Sequence, residues 1–153
     1  MHLSVPTGYL EGWATYVQLK LYDYIKTHKG CLGTESSSEE LPILIKLIDA
    51  CDKLSVQVHP NDEMAQKLEN KPFGKNESFY TLIAPTCGKM YNGCKAKSVE
   101  EMKQKIAEGK IDETLDMMPC EAGDYTYVVG GTLHAATAGS LHFEIEENSA
   151  DLN

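Results

Sequence analysis

Residues 41–80 read LPILIKLIDACDKLSVQVHPNDEMAQKLENKPFGKNESFY, and the decisive part is Ser55-Val56-Gln57-Val58-His59-Pro60. In an extended strand alternate side chains share a face, so Ser55, Gln57 and His59 are expected on one side, Val56 and Val58 on the other. Three polar side chains on one face line a pocket better than they fill a core. Downstream, Glu77 stands near Lys75, and Gly130-Gly131-Thr132-Leu133-His134-Ala135 offers a second histidine after a glycine turn. Two imidazoles, a carboxylate and an amide oxygen make a mixed nitrogen and oxygen set that a borderline divalent ion such as Zn2+ accepts.

The flanks of that stretch predict its setting. Residues 42–50 are nearly all apolar except Lys46, the pattern of a strand buried on both faces. A lone lysine there must snorkel or face a polar cavity, and it is expected to point toward Ser55 and Gln57. Cys51-Asp52-Lys53 is a turn, Asn61 or Asp62 caps a helix to about residue 69, and Lys71-Pro72-Phe73-Gly74 breaks it. Strands are expected at 78–84, near Met90, at 125–129 and at 140–146. Ser98-Val99-Glu100-Glu101 is a capping box opening a helix to about residue 108, and a second helical piece is expected over 112–117. Glu121-Ala122-Gly123-Asp124 and Gly130-Gly131 are turns.

Toward the N-terminus, residues 1–12 read as irregular. Val17, Leu21, Tyr24, Ile25 and His28 recur at helical spacing over about 14–28, and residues 34–40 read as a polar loop. Short strands separated by turn residues indicate an all-β sandwich or barrel with helical insertions.

A chain of 153 residues suits a single domain. Its formal net charge of −9 argues against nucleic acid and anionic membrane as partners. No apolar run approaches the length of a membrane span. Five cysteines without a C-x-x-C pair fit reduced thiols serving as small core residues in a cytoplasmic protein. His2, His28 and His142 carry no partner pattern and are taken as structural.

The blocks LIKLIDACDKLSVQVHPND, GKNE and GDYTYVVGGTLHAATAGSLHFEIEENS resemble the bacterial short form of type I mannose-6-phosphate isomerase, a zinc-dependent cupin family. The match covers about residues 41–150, the helical part of 97–118 only loosely. The resemblance implies a cupin or jelly-roll β-sandwich over 41–153, preceded by a divergent helical segment over 1–40. It implies one Zn2+ held by Gln57, His59, Glu77 and His134. It places Lys46, Ser55 and Lys75 near the sugar or its phosphate, and Lys46, Lys75 and Glu144 in the catalytic set. The partner implied is a small sugar phosphate, and the reaction is the interconversion of mannose 6-phosphate and fructose 6-phosphate.

Three departures from the family pattern stand out. The first forty residues lack its Trp-Glu and Ala-His-Pro segments. Val129-Gly130 replaces its Pro-Ala, which is expected to loosen the turn that presents His134. Its EIQQ is Glu144-Ile145-Glu146-Glu147 here, and 149–153 hold no arginine where the family carries its catalytic one. Slow turnover, or a non-catalytic module that binds metal or sugar, is the expectation this sets; an oxygenase-type metal cupin is a weaker rival.

Overall fold

The computed structural model describes residues 4–6, 18–33 and 41–147. The start of the helix expected over 14–28, His2, the polar loop at 34–40 and the tail after 147 lie outside them. The chain divides into two compact units, Met1–Pro42 and Ile43–Asn153.

In the first unit, β1 (Ser4–Pro6) pairs antiparallel with β2 (Gln18–Lys20), followed by α1 (Leu21–Thr27). The expected helix is therefore shorter than its periodicity suggests, because residues 18–20 are drawn into a strand pair. The His28 ring lies flat against Tyr24 at 4.0 Å, a structural role.

The second unit holds β3 (Ile43–Ala50), α2 (Asp62–Glu69), β4 (Glu77–Ile83), β5 (Lys89–Cys94), α3 (Val99–Ala107), a 3-10 turn (Ile111–Thr114), β6 (Leu115–Pro119), β7 (Tyr125–Val128), β8 (His134–Ala135) and β9 (Ser140–Glu147). Every strand pairing is antiparallel, in two sheets ordered β3-β9-β4-β7 and β6-β5-β8. This is an antiparallel β-sandwich with helices inserted in its connections.

Local chemistry sets the helix ends. Asn61 caps α2, its Oδ1 accepting from the Met64 N–H at 2.9 Å, and Asn70 ends the helix in the left-handed region. Ser98 caps α3 by accepting from the Glu101 N–H. The Glu101 carboxylate reaches back to the Lys97 N–H rather than to Ser98, so the box is offset by one residue.

Three sequence expectations are corrected. The segment expected to be helical over 112–117 is a 3-10 turn running into β6, which pairs with β5 through Met90↔Met118 and Lys89↔Pro119. Tertiary pairing overrides local propensity there. Residues 55–59 form no continuous strand. They run antiparallel to 131–136 through scattered bonds, Leu54 N–H to Ala136 O, the mutual Gln57–His134 pair, and Gly131 N–H to His59 O. Finally, β3 is an edge strand bonded only to β9, and its Leu44 and Leu47 are exposed rather than buried on both faces. The cysteines also differ from expectation: Cys31, Cys51, Cys87 and Cys94 are exposed, and Cys120 alone is buried.

Register defines what each face of the four-stranded sheet carries. One side holds the rows Leu44–Glu146–Glu77–Val128, Lys46–Glu144–Phe79–Thr126 and Ile48–His142–Thr81. Most of these are buried, and many are polar. The opposite side holds Leu47–Phe143–Tyr80–Tyr125 and Ile45–Ile145–Ser78–Tyr127, and Leu47, Phe143, Tyr80, Tyr125, Ile145 and Tyr127 are exposed. The apolar core is small: Phe79, Met90, Cys120 and Val128, with Ile48 and Met118 packed against it. Phe79→Ala should lower the unfolding free energy by about 3–5 kcal/mol. Tyr125→Ala on the outer side should change it by no more than about 0.5 kcal/mol. Urea titrations of both variants test this assignment of faces.

Candidate metal centre

Three elements bring imidazoles and a carboxylate together. Glu77 opens β4 on the buried side of the four-stranded sheet. His134 opens β8, opposite Asn92 of β5. His59 ends the irregular segment that follows β3. The His59 Nε2 lies 2.9 Å from Glu77 Oε1, and the His134 Nε2 lies 2.9 Å from Glu77 Oε2. All three are buried, and their ligand atoms lie within 4.8 Å of one another.

The loops holding this set approach very closely. A Cβ on Gly74 would run into the Pro60 carbonyl oxygen and the Asn61 backbone. One on Gly130 would come within 2.8 Å of the same oxygen and 2.9 Å of Asn61 Cα. Lys75 N–H donates to Pro60 O at 3.0 Å, Gly131 N–H to His59 O at 2.6 Å, and Gly130 N–H to Asn76 Oδ1 at 2.9 Å. Gly130 thus stands where two backbones meet and is tied in place. The turn is held tightly rather than loosened, contrary to the expectation from Val129-Gly130.

The chemistry of the set fits a divalent cation. The His134 Nδ1 lies 2.9 Å from the Thr132 carbonyl, which can only accept, so that nitrogen carries the proton. In the neutral ring Nε2 then presents a lone pair toward a carboxylate oxygen, and two acceptors at 2.9 Å need positive charge between them. A second proton or a metal ion supplies it, and a backbone carbonyl behind the ring is the usual support of a metal-bound histidine. Electrostatics agree. Burial pushes the Glu77 carboxyl up, but bonds from His134, His59 and Glu146 outweigh it and hold it well below the usual carboxylate range. Burial opposes the His134 imidazolium, yet Glu77 and the Thr132 carbonyl raise its pKa overall.

The remaining predicted residues divide into two groups. Gln57 and His134 exchange both backbone hydrogen bonds at 2.9 Å, so the two side chains issue from directly opposed positions; that of Gln57 is exposed. Ser55 is also exposed. Lys46 and Lys75 enter a buried charge cluster instead. Lys46 Nζ lies 3.1 Å from Glu144 Oε2 and 2.7 Å from Glu146 Oε2. Lys75 Nζ lies 3.4 Å from Glu77 Oε1 and 3.1 Å from Glu146 Oε2. Lys46 therefore has carboxylate partners across the strand pair, where the sequence suggested Ser55 and Gln57. The Lys75–Glu77 pair is buried.

Glu146 escaped sequence reasoning. A period-two reading of Glu144-Ile145-Glu146 puts it on Glu144's face, and that was the available signal. His142, expected to be structural, is fully buried near Thr81 Oγ1 at 3.3 Å, and desolvation holds its pKa down.

Residues 1–81 match the family model of the phosphomannose isomerase type I catalytic domain. Over 134 residues the chain is 38% identical to the mannose-6-phosphate isomerase of Streptococcus mutans serotype c and 36% identical to a mannose-6-phosphate isomerase of Bacillus subtilis. Each alignment covers 88% of this chain and 42% of the relative, so the chain spans about two fifths of the length of these curated relatives. The crystal structure of the mannose 6-phosphate isomerase from Bacillus subtilis superposes with a TM-score of 0.75 at 29% identity, covering 89% of this chain and 43% of that one.

Protein purified without added metal should carry about one transition ion per chain, zinc first among them. His59→Ala and His134→Ala should each remove most of it by elemental analysis; full retention in both would remove the site. In the metal-free protein the stability contributed by the Glu77–His134 pair should be bounded in pH. Glu77's contribution is present above its unfolded value of 4.5 and is lost as pH falls through its depressed folded value. His134's contribution is complete below 6.5 and is lost as pH rises through its raised folded value. The Glu77–His134 pair should therefore contribute most between pH 4.5 and 6.5, as the gap in urea midpoint between chelator-treated parent and His134→Ala across that range would show.

Proposed function

Because the chain belongs to the type I phosphomannose isomerase family, we propose that it interconverts mannose 6-phosphate and fructose 6-phosphate, with one zinc ion held by Gln57, His59, Glu77 and His134. The observation that carries this reading is the convergence of both Nε2 atoms on Glu77, beside the Lys46–Glu144 pair. A divalent ion in that set would supply Lewis-acid polarisation of the sugar's C1 and C2 oxygens.

In the aldose-to-ketose direction one proton leaves C2 and one arrives at C1, while a proton passes from O2 to O1. Glu144 is the group suited to the carbon transfer. Burial first, then the neighbouring Glu77 charge, raises its pKa above the ordinary carboxyl value, against the pull of Lys46. A carboxyl so raised can take and return a proton closer to neutral pH. Lys46, with 36% of its side chain exposed, can meet the substrate as a point charge and orient it. Exposed Ser55 can add a hydroxyl contact. Lys75, only 8% exposed, acts from beneath, holding Glu77 and Glu146 in place.

A second reading, a module that binds metal or sugar without turnover, is favoured by one observation: both lysines already face carboxylates. A coupled assay on zinc-loaded protein separates the two, since the isomerase reading requires conversion of fructose 6-phosphate and the module reading forbids it. Glu144→Gln should lower kcat by about 10²–10⁴ and leave zinc content unchanged. A variant as fast as the parent would take Glu144 out of the proton transfer.

A further inference from the structure

The row Leu44–Glu146–Glu77–Val128 sets Glu146 directly opposite Glu77 on neighbouring strands. Like charges at opposed positions destabilise a strand pair unless a cation lies between them. Here Lys75 lies between them, 3.4 Å from Glu77 Oε1 and 3.1 Å from Glu146 Oε2. The same Glu146 Oε2 is also 2.7 Å from Lys46 Nζ. One oxygen of a carboxylate 3% exposed thus joins two ammonium groups that come from different strands and loops. Lys46 is further held by Glu144, so the cluster sets three carboxylates, Glu77, Glu144 and Glu146, against two ammonium groups.

We propose that Glu146 is a positioning residue that fixes Lys46 at the mouth of the site and sets how strongly the site prefers a phosphorylated sugar over the same sugar without phosphate. The inference rests on the sugar-phosphate reading above and adds a residue to it. The physical reason is compensation. A phosphate monoester brings about −1.5 to −2 charge. Lys46, the more exposed lysine of the cluster, is already neutralised on its inner side, and Glu146's field acts on an incoming phosphate but hardly on an uncharged sugar. Removing the charge while keeping the shape should therefore strengthen binding of the phosphate form selectively. A loss of packing would weaken both forms alike.

Glu146→Gln is the suitable variant, being of equal size and still able to accept from one lysine. Calorimetric titrations of the zinc-loaded parent, Glu146→Gln and the exposed helix control Glu100→Gln would use mannose 6-phosphate and mannose as probes. The ratio of affinities, phosphorylated over free, should rise about tenfold in Glu146→Gln. It should stay unchanged in Glu100→Gln, and mannose affinity should stay within about twofold throughout. An unchanged or lowered ratio in Glu146→Gln, with mannose 6-phosphate binding intact in the parent, overturns the proposal.

If the parent binds neither sugar, the sugar-phosphate reading falls and the specificity role falls with it. The positioning role is then decided by acylating lysines with an amine-selective ester and mapping the peptides. Lys46 labelling should rise several-fold when Glu146 becomes glutamine. Equal labelling in parent and variant would show that Glu146 does not hold that side chain.

Discussion

Everything near the site depends on how three carboxylates can be buried on one face of one sheet. Glu77, Glu144 and Glu146 offer oxygens within 4.8 Å of one another, at a burial where an unpaired carboxylate would cost several kcal/mol. The cluster holds because each carboxylate faces a cation or an imidazole. Lys46 answers Glu144 and Glu146, Lys75 answers Glu146 and Glu77, and the two histidines close on Glu77 from the other side. Removing Lys46 or Lys75 would leave buried carboxylates facing one another with one cation fewer between them. The cluster is for that reason a constraint on geometry as much as a source of stability.

The sheet bearing this cluster reverses the usual assignment of faces. An antiparallel sheet with one solvated side ordinarily turns apolar side chains inward. Here the buried side holds Glu77, Glu144, Glu146, His142, Thr81 and Thr126, with Phe79 and Val128 among them, and the exposed side holds Leu47, Phe143, Tyr80 and Tyr125. Phe79 stands at the junction of the two regimes. Its ring is 6.2 Å from that of His134 and meets His142 edge-on at 5.8 Å, so the apolar core directly backs the imidazoles. Burial of the polar groups lowers the effective dielectric around them and makes each contact stronger and each vacancy costlier.

The close contacts among loops serve the same end. The His59-Pro60-Asn61 turn is gripped between Gly74 and Gly130, from two connections far apart in the chain. A histidine on an irregular segment would otherwise have many rotamers and backbone states. Backbone bonds to Pro60 O and His59 O restrict them, and the absent side chains of the two glycines allow the approach. The tight turn and the buried ion pairs together restrict these side chains, the rigidity that a preorganised site requires.

Much was legible in the sequence because the relevant signals are local. The Asn61 cap, the Ser98 cap, the turn at Gly130-Gly131 and the strand segments of β4, β7 and β9 follow from interactions within a few residues. The grouping of His59, Glu77 and His134 was suggested by their residue types and carried chiefly by resemblance, since no periodicity joins positions so far apart. Other features were decided by tertiary structure alone. Residues 115–117 became part of a strand because β5 offered a partner ladder. Residues 55–59 lost their regular alternation because they pair with 131–136 at scattered points. Lys46 took partners that no reading of its own strand contained. Register between β3 and β9 put Lys46 opposite Glu144 and one diagonal step from Glu146, and register is a property of two strands, not of either sequence.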